Sequence, residues 1–398
     1  MVSQARQKGL VSDRLRLKDA THVIGNIAIP SAIGLIAQTR QKLLKCARVY
    51  AEKQVEVEEK RVELVRRMSD DLSDNARLLM RLEHLRKIVA WIDELQKRLG
   101  TPSGMPTPQR KRFDEALALA HRLLEQANKP DKPDRIISAT DPDAHWGKHG
   151  DFYEGYQLDI SMDADSEILT AVATPPANQG ETRNAQTLTE NEEKAHGNDI
   201  QALSIDGVGF RGDVLRILKD AQEGPGLDVF VPPHEFSSHS GPYFIPTDFQ
   251  LLEDGNTLVC PNEEETRSRH RNFKGTGWQF HFKLNQCRTC PLLEKCMKTL
   301  PAKHGRGVTK NDYEAEYQSA REVAKTEAYA QVRKQHPKVE RKLAEIIRYH
   351  NARRTRYRGQ WRVSIQYLMT ALVVNVKRMI KLLFPPNKVD LCLQGGNT

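Results

Sequence analysis

The sequence has no hydrophobic run long enough to span a bilayer, which takes about 20 apolar residues. The longest candidate, residues 367–376, is followed at once by Lys377 and Arg378. Residues 1–9 contain no apolar stretch of the kind that a secretory signal needs. Aromatic residues make up only 6% of the chain against 28% charged residues, a balance typical of a soluble protein. We therefore expect a cytoplasmic protein with no membrane partner.

Cysteine is scarce, and four of the six cysteines fall within residues 260–296. Disulfide bonds are rare in cytosolic proteins, so this cluster points to a bound metal rather than to a covalent crosslink. A CxxC pair places two thiolates on one ion, and two further cysteines complete a tetrahedron, as in structural zinc sites. Four reduced thiols without metal are the alternative, and His270 and His281 are substitutes if the first cysteine is not a ligand. The predicted zinc ligands are Cys260, Cys287, Cys290 and Cys296.

The positive charge of the chain is unevenly distributed. The net charge is +9, yet residues 331–381 alone hold 14 Lys or Arg against Glu340 and Glu345, a balance of +12. The remaining residues therefore sum to about −3. A segment with an excess of one sign suits a polyanion, so it predicts binding to nucleic acid; a solvated helical face is the ordinary alternative.

Two short apolar runs end in an aspartate. Leu15 and Leu17 alternate with basic residues, a strand pattern that ends at Asp19. The run IQALSID at 200–206 ends at Asp206 and is followed by glycines and a helical pattern. Ligands in open α/β sheets bind at the carboxyl ends of such strands, but acids at these places more often cap turns. The pattern alone leaves both interpretations open.

Long helices are predicted between the first strand and the rest of the sheet. The charged stretch 38–68 and the 4-3-4-3 spacing of apolar residues in 78–92 are typical of helices, and the polar cluster at 69–75 separates them. A third helix is predicted at 109–127. We expect this region to serve packing and dimer contact.

The remaining segments predict a hairpin, an irregular region and a helical C-terminal part. Residues 151–175 alternate in polarity and predict two strands around a turn. Little regular pattern is visible in 250–310, and helices are predicted from residue 311 onward. Pro337 is expected to begin or kink the helix that carries Glu340.

Five segments, in order, resemble insertion-sequence transposases with a DDE catalytic domain. The stretch 140–176 resembles the family's central block, in which a DPDA-like run leads through a hairpin to a Thr-Pro-Ala-Asn-like motif, here at 174–178. The family's helical N-terminal domain is expected to be missing, because only 18 residues precede Asp19. The other resembling segments are LRLKDATHV around Asp19, Asp206-Gly-Val-Gly-Phe, the cysteine-rich insert, and Val339-Glu340 with Arg356-Tyr357-Arg358-Gly359.

The resemblance implies a ribonuclease-H-like fold, a mixed sheet flanked by helices, with a long helical insertion and a small zinc-binding insert. It implies metal-dependent DNA strand cleavage and strand transfer, with Asp19, Asp206 and Glu340 as catalytic acids. Hard cations prefer carboxylate ligands, so these acids would hold Mg²⁺ or Mn²⁺ for the two-metal chemistry of phosphodiester cleavage. Asp143, in the DPDA run, is the rival for the first acid. Other nearby acids, expected to cap turns, are Asp141, Asp163 and Asp165.

The resemblance also implies partners and a division of the chain. The partners are double-stranded DNA, as terminal inverted repeats and target DNA, and a second copy of the chain in a homodimer on that DNA, with a nucleoid-associated location in a bacterium. Phosphate contacts are expected from Arg348, Arg353, Arg354, Arg356, Arg358 and Arg362. The predicted parts are the first strand of the catalytic core (1–34), a helical insertion (35–134), the catalytic core (135–250), the zinc-binding insert (251–310) and C-terminal helices with the third acid and basic segment (311–398).

Two other functions account for part of the sequence. One is a truncated, non-catalytic relative that carries zinc, binds the element ends and regulates transposition. The other is a structural protein that dimerises through residues 38–99, which gives no role to the acids, the cysteines or the basic segment. A salt-dependent affinity for DNA argues against the structural protein, because phosphate contacts release counterions.

Overall fold

The computed structural model describes residues 1–100, 106–129, 134–180, 182, 184–234, 243–299 and 303–385. The helices are α1 (Val2–Gln7), α2 (Ala32–Ser69), α3 (Asp74–Leu99), α4 (Pro108–Asn128), α5 (Ala185–His196), α6 (Gly212–Lys219), α7 (Leu284–Arg288), α8 (Leu293–Cys296), α9 (Glu314–Ala324), α10 (Glu327–Gln335), α11 (Pro337–Tyr349) and α12 (Gln360–Leu383). The strands are β1 (Arg16–Ile24), β2 (His145–His149), β3 (Asp151–Asp163), β4 (Leu169–Ala173), β5 (Ala202–Ser204), β6 (Asp228–Phe230), β7 (Gln250–Leu251), β8 (Leu258–Val259), β9 (Glu265–Thr266), β10 (Arg269–Arg271), β11 (Gly277–His281) and β12 (Gly307–Asn311). None of the helices in these ranges is long and apolar enough to cross a membrane.

A six-stranded mixed sheet lies at the centre of the fold. Five strands follow the order β2-β3-β1-β5-β6, and β4 pairs with β3 as well. β1 pairs antiparallel with β3 along its whole length and parallel with β5, which in turn is parallel to β6. This sheet, flanked by helices, is consistent with the ribonuclease-H-like expectation.

One face of β1 packs against the C-terminal helices. Leu17 and Val23 point to this face, because side chains two residues apart in a strand lie on the same side. They share a buried core with Val339 and Leu343 of α11 and with Tyr367 of α12. Burial of these apolar side chains therefore holds α11 against β1, because the removal of apolar surface from water contributes most of the favourable free energy of such packing.

The opposite face of β1 buries charged groups. The Arg16 guanidinium is 0% exposed and donates to Glu192 Oε1 at 2.9 and 2.7 Å and to Asp163 Oδ1 at 3.2 Å. The Lys18 ammonium lies 3.4 Å from Asp159, and burial raises the pKa of that aspartate. Buried charges persist when they are paired and hydrogen-bonded, so this network holds α5 and β3 against β1.

Helices α2, α3 and α4, which lie between β1 and β2 in the sequence, pack into a separate hydrophobic core. Its fully buried members include Leu43, Ile88 and Phe113, one from each helix. α2 is kinked at Ala51, whose φ of −153° and ψ of 57° are not helical. The three helices lie close to the predicted stretches 38–68, 78–92 and 109–127, although α2 begins earlier, at Ala32. At the start of each helix a hydroxyl side chain, that of Ser31, Ser73 or Thr107, accepts a hydrogen bond from a backbone N–H three residues later.

Residues 250–310 are more regular than the sequence indicates. They contribute to two three-stranded antiparallel sheets, β7-β8-β9 and β10-β11-β12. The sequence shows little regular pattern here, because strands of two to five residues are too short to show alternation. Their common core is built from Phe249, Leu258, Phe280 and Val308, with Phe282 beside them.

Candidate active site

Asp19 and Asp206 are neighbours across two parallel strands. β1 and β5 pair with Arg16 opposite Leu203 and Leu17 opposite Ser204. Continued by two residues, this register sets Asp19 beside Asp206. The backbone of Asp206 is extended, with φ −75° and ψ 177°, so it continues the direction of β5 beyond its last paired residue. Two acids that are 187 positions apart in the sequence thus lie side by side at the carboxyl end of β5.

Glu340 approaches these two acids from above the sheet. α11 begins at Pro337, where a missing N–H costs nothing, and Glu340 lies in its first turn. Val339 of this helix is buried against the face of β1 that also carries Leu17. Asp19 is on that same face, two residues after Leu17, so the helix and the strand present their acids to each other.

The electrostatics of Asp19 report the proximity of the other two acids. Burial is the largest cause that raises the pKa of Asp19, to about 7, and the charges of Asp206 and Glu340 raise it further. A hydrogen bond of 2.7 Å from the Ala20 backbone N–H and the charge of Lys18 act in the opposite sense. The three carboxylates, hereafter the carboxylate site, are therefore within electrostatic range of one another.

The three acids of the carboxylate site differ in solvent exposure. Asp19 and Asp206 are half-buried, and Glu340 is exposed. Asp206 precedes a short 3-10 helix (Gly207–Gly209) without capping it through its side chain. Within the described ranges, the Asp206 and Glu340 carboxylates take part in no hydrogen bond or ion pair that would occupy them. Their oxygens are thus available to a ligand from solvent.

A hard divalent cation fits the donors of this site. All three donors are carboxylates, and each adds negative charge that a bound cation would offset. Across the residues that the structure describes, no three His, Cys, Asp or Glu side chains stand close enough together to hold a metal ion as they are. Closing these carboxylates around an ion therefore requires side-chain movement.

The rival first acid lies elsewhere in the fold. Asp143 Oδ2 accepts a hydrogen bond of 3.0 Å from the Gln360 N–H, at the start of α12. Asp141 is fully buried and accepts a hydrogen bond of 2.6 Å from the Tyr156 hydroxyl. Asp163 accepts from the N–H and the hydroxyl of Ser166 within its own turn, at 2.8 and 2.7 Å. These acids are engaged in structural hydrogen bonds, some within a turn and some between distant parts of the chain.

The structure divides the arginines predicted to contact phosphates into two groups. Arg353 is half-buried, and its Nη1 donates to the His22 carbonyl at 2.6 Å and to Thr21 Oγ1 at 3.2 Å. Its guanidinium is therefore engaged in holding the segment after α11 against β1, which its position in a basic run does not reveal. The other five are exposed: Arg348, Arg354, Arg356, Arg358 and Arg362.

The four predicted zinc ligands line one cavity together with aromatic side chains, although no three of these thiols stand close enough to hold an ion as they are. Burial raises the pKa of Cys296 to about 11, and the charges of the other three thiols raise it as well. Cys287 Sγ accepts a hydrogen bond of 3.3 Å from the Arg306 N–H. The alternative ligands His270 and His281 stack on each other instead, with ring centroids 5.0 Å apart on the β10–β11 pair.

Two groups beside the carboxylate site, the half-buried Arg333 and the buried His336, have no signal in the sequence. Arg333 and His336, at the α10–α11 junction, both contact Ser204 at the end of β5. A contact between residues some 130 positions apart has no local periodicity, so sequence patterns do not reveal it.

A comparison with protein families finds a similarity over part of the chain. The family model described as the transposase DDE domain matches residues 259–380, which include Glu340 and the cysteine-rich region, whereas Asp19 and Asp206 lie outside the match. No curated protein and no solved structure matches the chain. DDE transposases cleave and transfer DNA and generally use Mg²⁺ or Mn²⁺. The match over residues 259–380 thus supports a DDE transposase.

Proposed function

We propose that this chain is a DDE transposase that cleaves the ends of an insertion sequence and joins them to target DNA with divalent metal ions. The observation that carries the proposal is the convergence of Asp19, Asp206 and Glu340, from three distant parts of the chain, within electrostatic range. The family match at residues 259–380 supports the same chemistry independently.

All three carboxylates have a role in the proposed site. Asp19 and Asp206 would bind the metal ions, and Glu340 would complete their ligand set. Bound Mg²⁺ or Mn²⁺ would neutralise the scissile phosphate and activate the attacking oxygen. Glu340 is exposed and Asp19 half-buried, so a DNA strand has access from the Glu340 side.

The exposed arginines after α11 are proposed to contact DNA phosphates. Their segment is tied to β1, because the Thr355 N–H donates to the Ile24 carbonyl at 2.9 Å. Ile24 is five residues from Asp19, or roughly 17 Å along a strand, which is within the footprint of one DNA duplex on the protein. Tyr357 and Trp361 are 50% and 75% exposed and offer rings on which an unpaired base can stack.

We propose a homodimer through the outer face of α12. α12 buries Val363, Tyr367 and Val374 on one face, yet a second apolar stripe on the opposite side faces solvent over roughly 33 Å. About a dyad at Leu372, Leu368 would meet Val376 and Trp361 would meet Leu383 of an antiparallel copy. Its exposed members are Trp361, Ile365, Leu368, Met369, Leu372, Val373, Val376, Ile380 and Leu383.

An engineered cysteine tests this dimer. Leu372→Cys lies at the proposed dyad and should form an intermolecular disulfide under mild oxidation, whereas Trp361→Cys alone should not, because its partner position is occupied by Leu383. The parent chain under the same conditions controls for its native thiols. A chain that sediments as a monomer at micromolar concentration, free and bound to DNA, contradicts the dimer.

We also propose that Cys260, Cys287, Cys290 and Cys296 hold a structural zinc ion. Support comes from the shared cavity and from the mutual effect of the thiols on their pKa values. Zinc binding would keep these thiols deprotonated and tie the short sheets together, which are otherwise held by a core of five buried side chains.

Cleavage of the DNA repeats that flank the gene tests the proposed function. With Mg²⁺ present, the purified chain should nick these repeats at their ends and join the cut ends to a target plasmid, and EDTA should abolish both steps. Tight, salt-dependent binding of the repeats without any cleavage would instead establish the non-catalytic regulator.

A further inference from the structure

Arg333 reaches from the last part of α10 to the end of β5. Its Nη1 donates to the Ile205 carbonyl at 2.8 Å and to Ser204 Oγ at 3.2 Å. The Ile205 N–H is held on the other side, by the Phe230 carbonyl of β6 at 3.1 Å. Both backbone polar groups of the residue immediately before Asp206 are therefore fixed, one by a neighbouring strand and one by a charged side chain.

The contact at Ser204 is shared with a buried histidine. His336 Nδ1 lies 3.0 Å from Ser204 Oγ, and the histidine is 1% exposed. Burial lowers the pKa of His336 to about 4, and the charge of Arg333 lowers it further, so the imidazole is neutral at physiological pH. Arg333 is thus charged and His336 is not, and both join the α10–α11 junction to β5.

The charge of Arg333 also acts on the carboxylate site. Burial lowers the pKa of this arginine, whereas Glu340, Asp206 and Asp19 all raise it through their negative charge. Among the described residues, Arg333 forms no direct ion pair with any of the three acids, so its charge acts on them at a distance. Its hydrogen bonds go to Ser204 and Ile205.

We propose that Arg333 is the positioning residue of the carboxylate site. It sets the place of Asp206 through the Ile205 carbonyl, and its guanidinium offsets the repulsion among the three acids when they have no cation. Asp206 lies beyond the last paired residue of β5, so its position depends on what holds Ile205. A planar guanidinium serves both purposes, because it stays charged when buried and presents several donors. The catalytic meaning of this role rests on the proposed transposase function.

A double-mutant cycle in EDTA tests the coupling without metal or activity. Arg333→Met should lower the Tm of the full-length chain by about 5 °C, and in an Asp206→Asn background the loss should be smaller by about 2 °C or more, because one of the charges it offsets is gone. Lys334→Met, which removes an exposed charge from the same helical turn, should show no such coupling. Equal losses in both backgrounds overturn the proposal.

The response to Mn²⁺ tests whether the charge of Arg333 acts on the carboxylate site. Removing the resident positive charge leaves the carboxylates more attractive to a cation, so Mn²⁺ should raise the Tm of Arg333→Met more than that of the parent chain. Arg333→Lys keeps the charge and should show the parent's shift, and it also serves if Arg333→Met fails to fold. A Mn²⁺ shift that is unchanged or smaller in Arg333→Met contradicts the charge role. A parent chain that neither responds to Mn²⁺ nor cuts DNA refutes the proposed function, while the EDTA cycle still decides the role of Arg333.

Discussion

Replacing Asp19 by asparagine should stabilise the metal-free protein. The pKa of Asp19 is raised from 3.8 to about 7, first by burial and then by Asp206 and Glu340. The folded state therefore binds this proton more tightly than the unfolded state, and stability is lost as the pH rises from about 4 to about 7. A difference of roughly three units corresponds to at most about 4 kcal/mol above pH 7. Asp19→Asn removes this cost and keeps the shape of the side chain.

Urea unfolding in EDTA at pH 8 and at pH 4 measures this effect. At pH 8 the variant should be more stable than the parent by up to about 4 kcal/mol, and at pH 4 the difference should be small, because Asp19 is then largely protonated in the folded state. Mg²⁺ should shrink the gain at pH 8, since a bound cation offsets the same charge in the parent. Asp199→Asn, an exposed acid, should change stability little at either pH. An Asp19→Asn chain that is neutral or less stable at pH 8 in EDTA would falsify the like-charged cluster.

Three further predictions concern stability. Arg16→Met should cost about 3–5 kcal/mol in urea unfolding, because it leaves the fully buried Glu192 and Asp163 without their shared cation; a loss under 1 kcal/mol speaks against a buried network. The pKa of His336 is lowered from 6.5 to about 4, so its folded state rejects a proton that the unfolded state accepts, and stability falls as the pH drops from about 6.5 to about 4. His336→Gln should remove up to about 3 kcal/mol of that acid-induced loss, and an unchanged pH profile means that the histidine is not neutral in the fold. One zinc per chain is expected by elemental analysis, with Cys290→Ser or a strong chelator removing it and lowering the Tm; a chain purified without zinc, and equally stable in chelator, contradicts the zinc site.

The sequence predicts those elements whose patterns are long. α2, α3 and α4 extend over more than 20 residues each, so their spacing is visible, and the strand leading to Asp19 is marked by Leu15 and Leu17. The length of this strand, β1, is not visible in the sequence. It continues to Ile24 through Thr21 and His22, which break the apolar alternation. β6 and the six strands from β7 to β12 have at most five residues and carry no periodic signal.

The residues of the candidate site also differ in whether a local sequence pattern predicts them. Asp206 and Glu340 are placed by their own elements, the end of a strand and the first turn of a helix, and both positions follow from local patterns. Arg333 and the Lys18–Asp159 pair depend on contacts that only the folded sheet creates. Arg353 shows the limit of composition: it belongs to a basic run, yet its donors are used by β1 rather than left for DNA.

Strand cleavage by single-acid variants tests the central claim most directly. The substrate is a duplex carrying the flanking repeats, with Mg²⁺, and binding is measured alongside cleavage. Asp19→Asn, Asp206→Asn and Glu340→Gln should each bind the repeats as the parent does and fail to cut them. Asp143→Asn, at the rival acid that contacts the start of α12, should still cut. Loss of cleavage in Asp143→Asn together with activity in Asp19→Asn would show that the acids of the active site have been wrongly assigned.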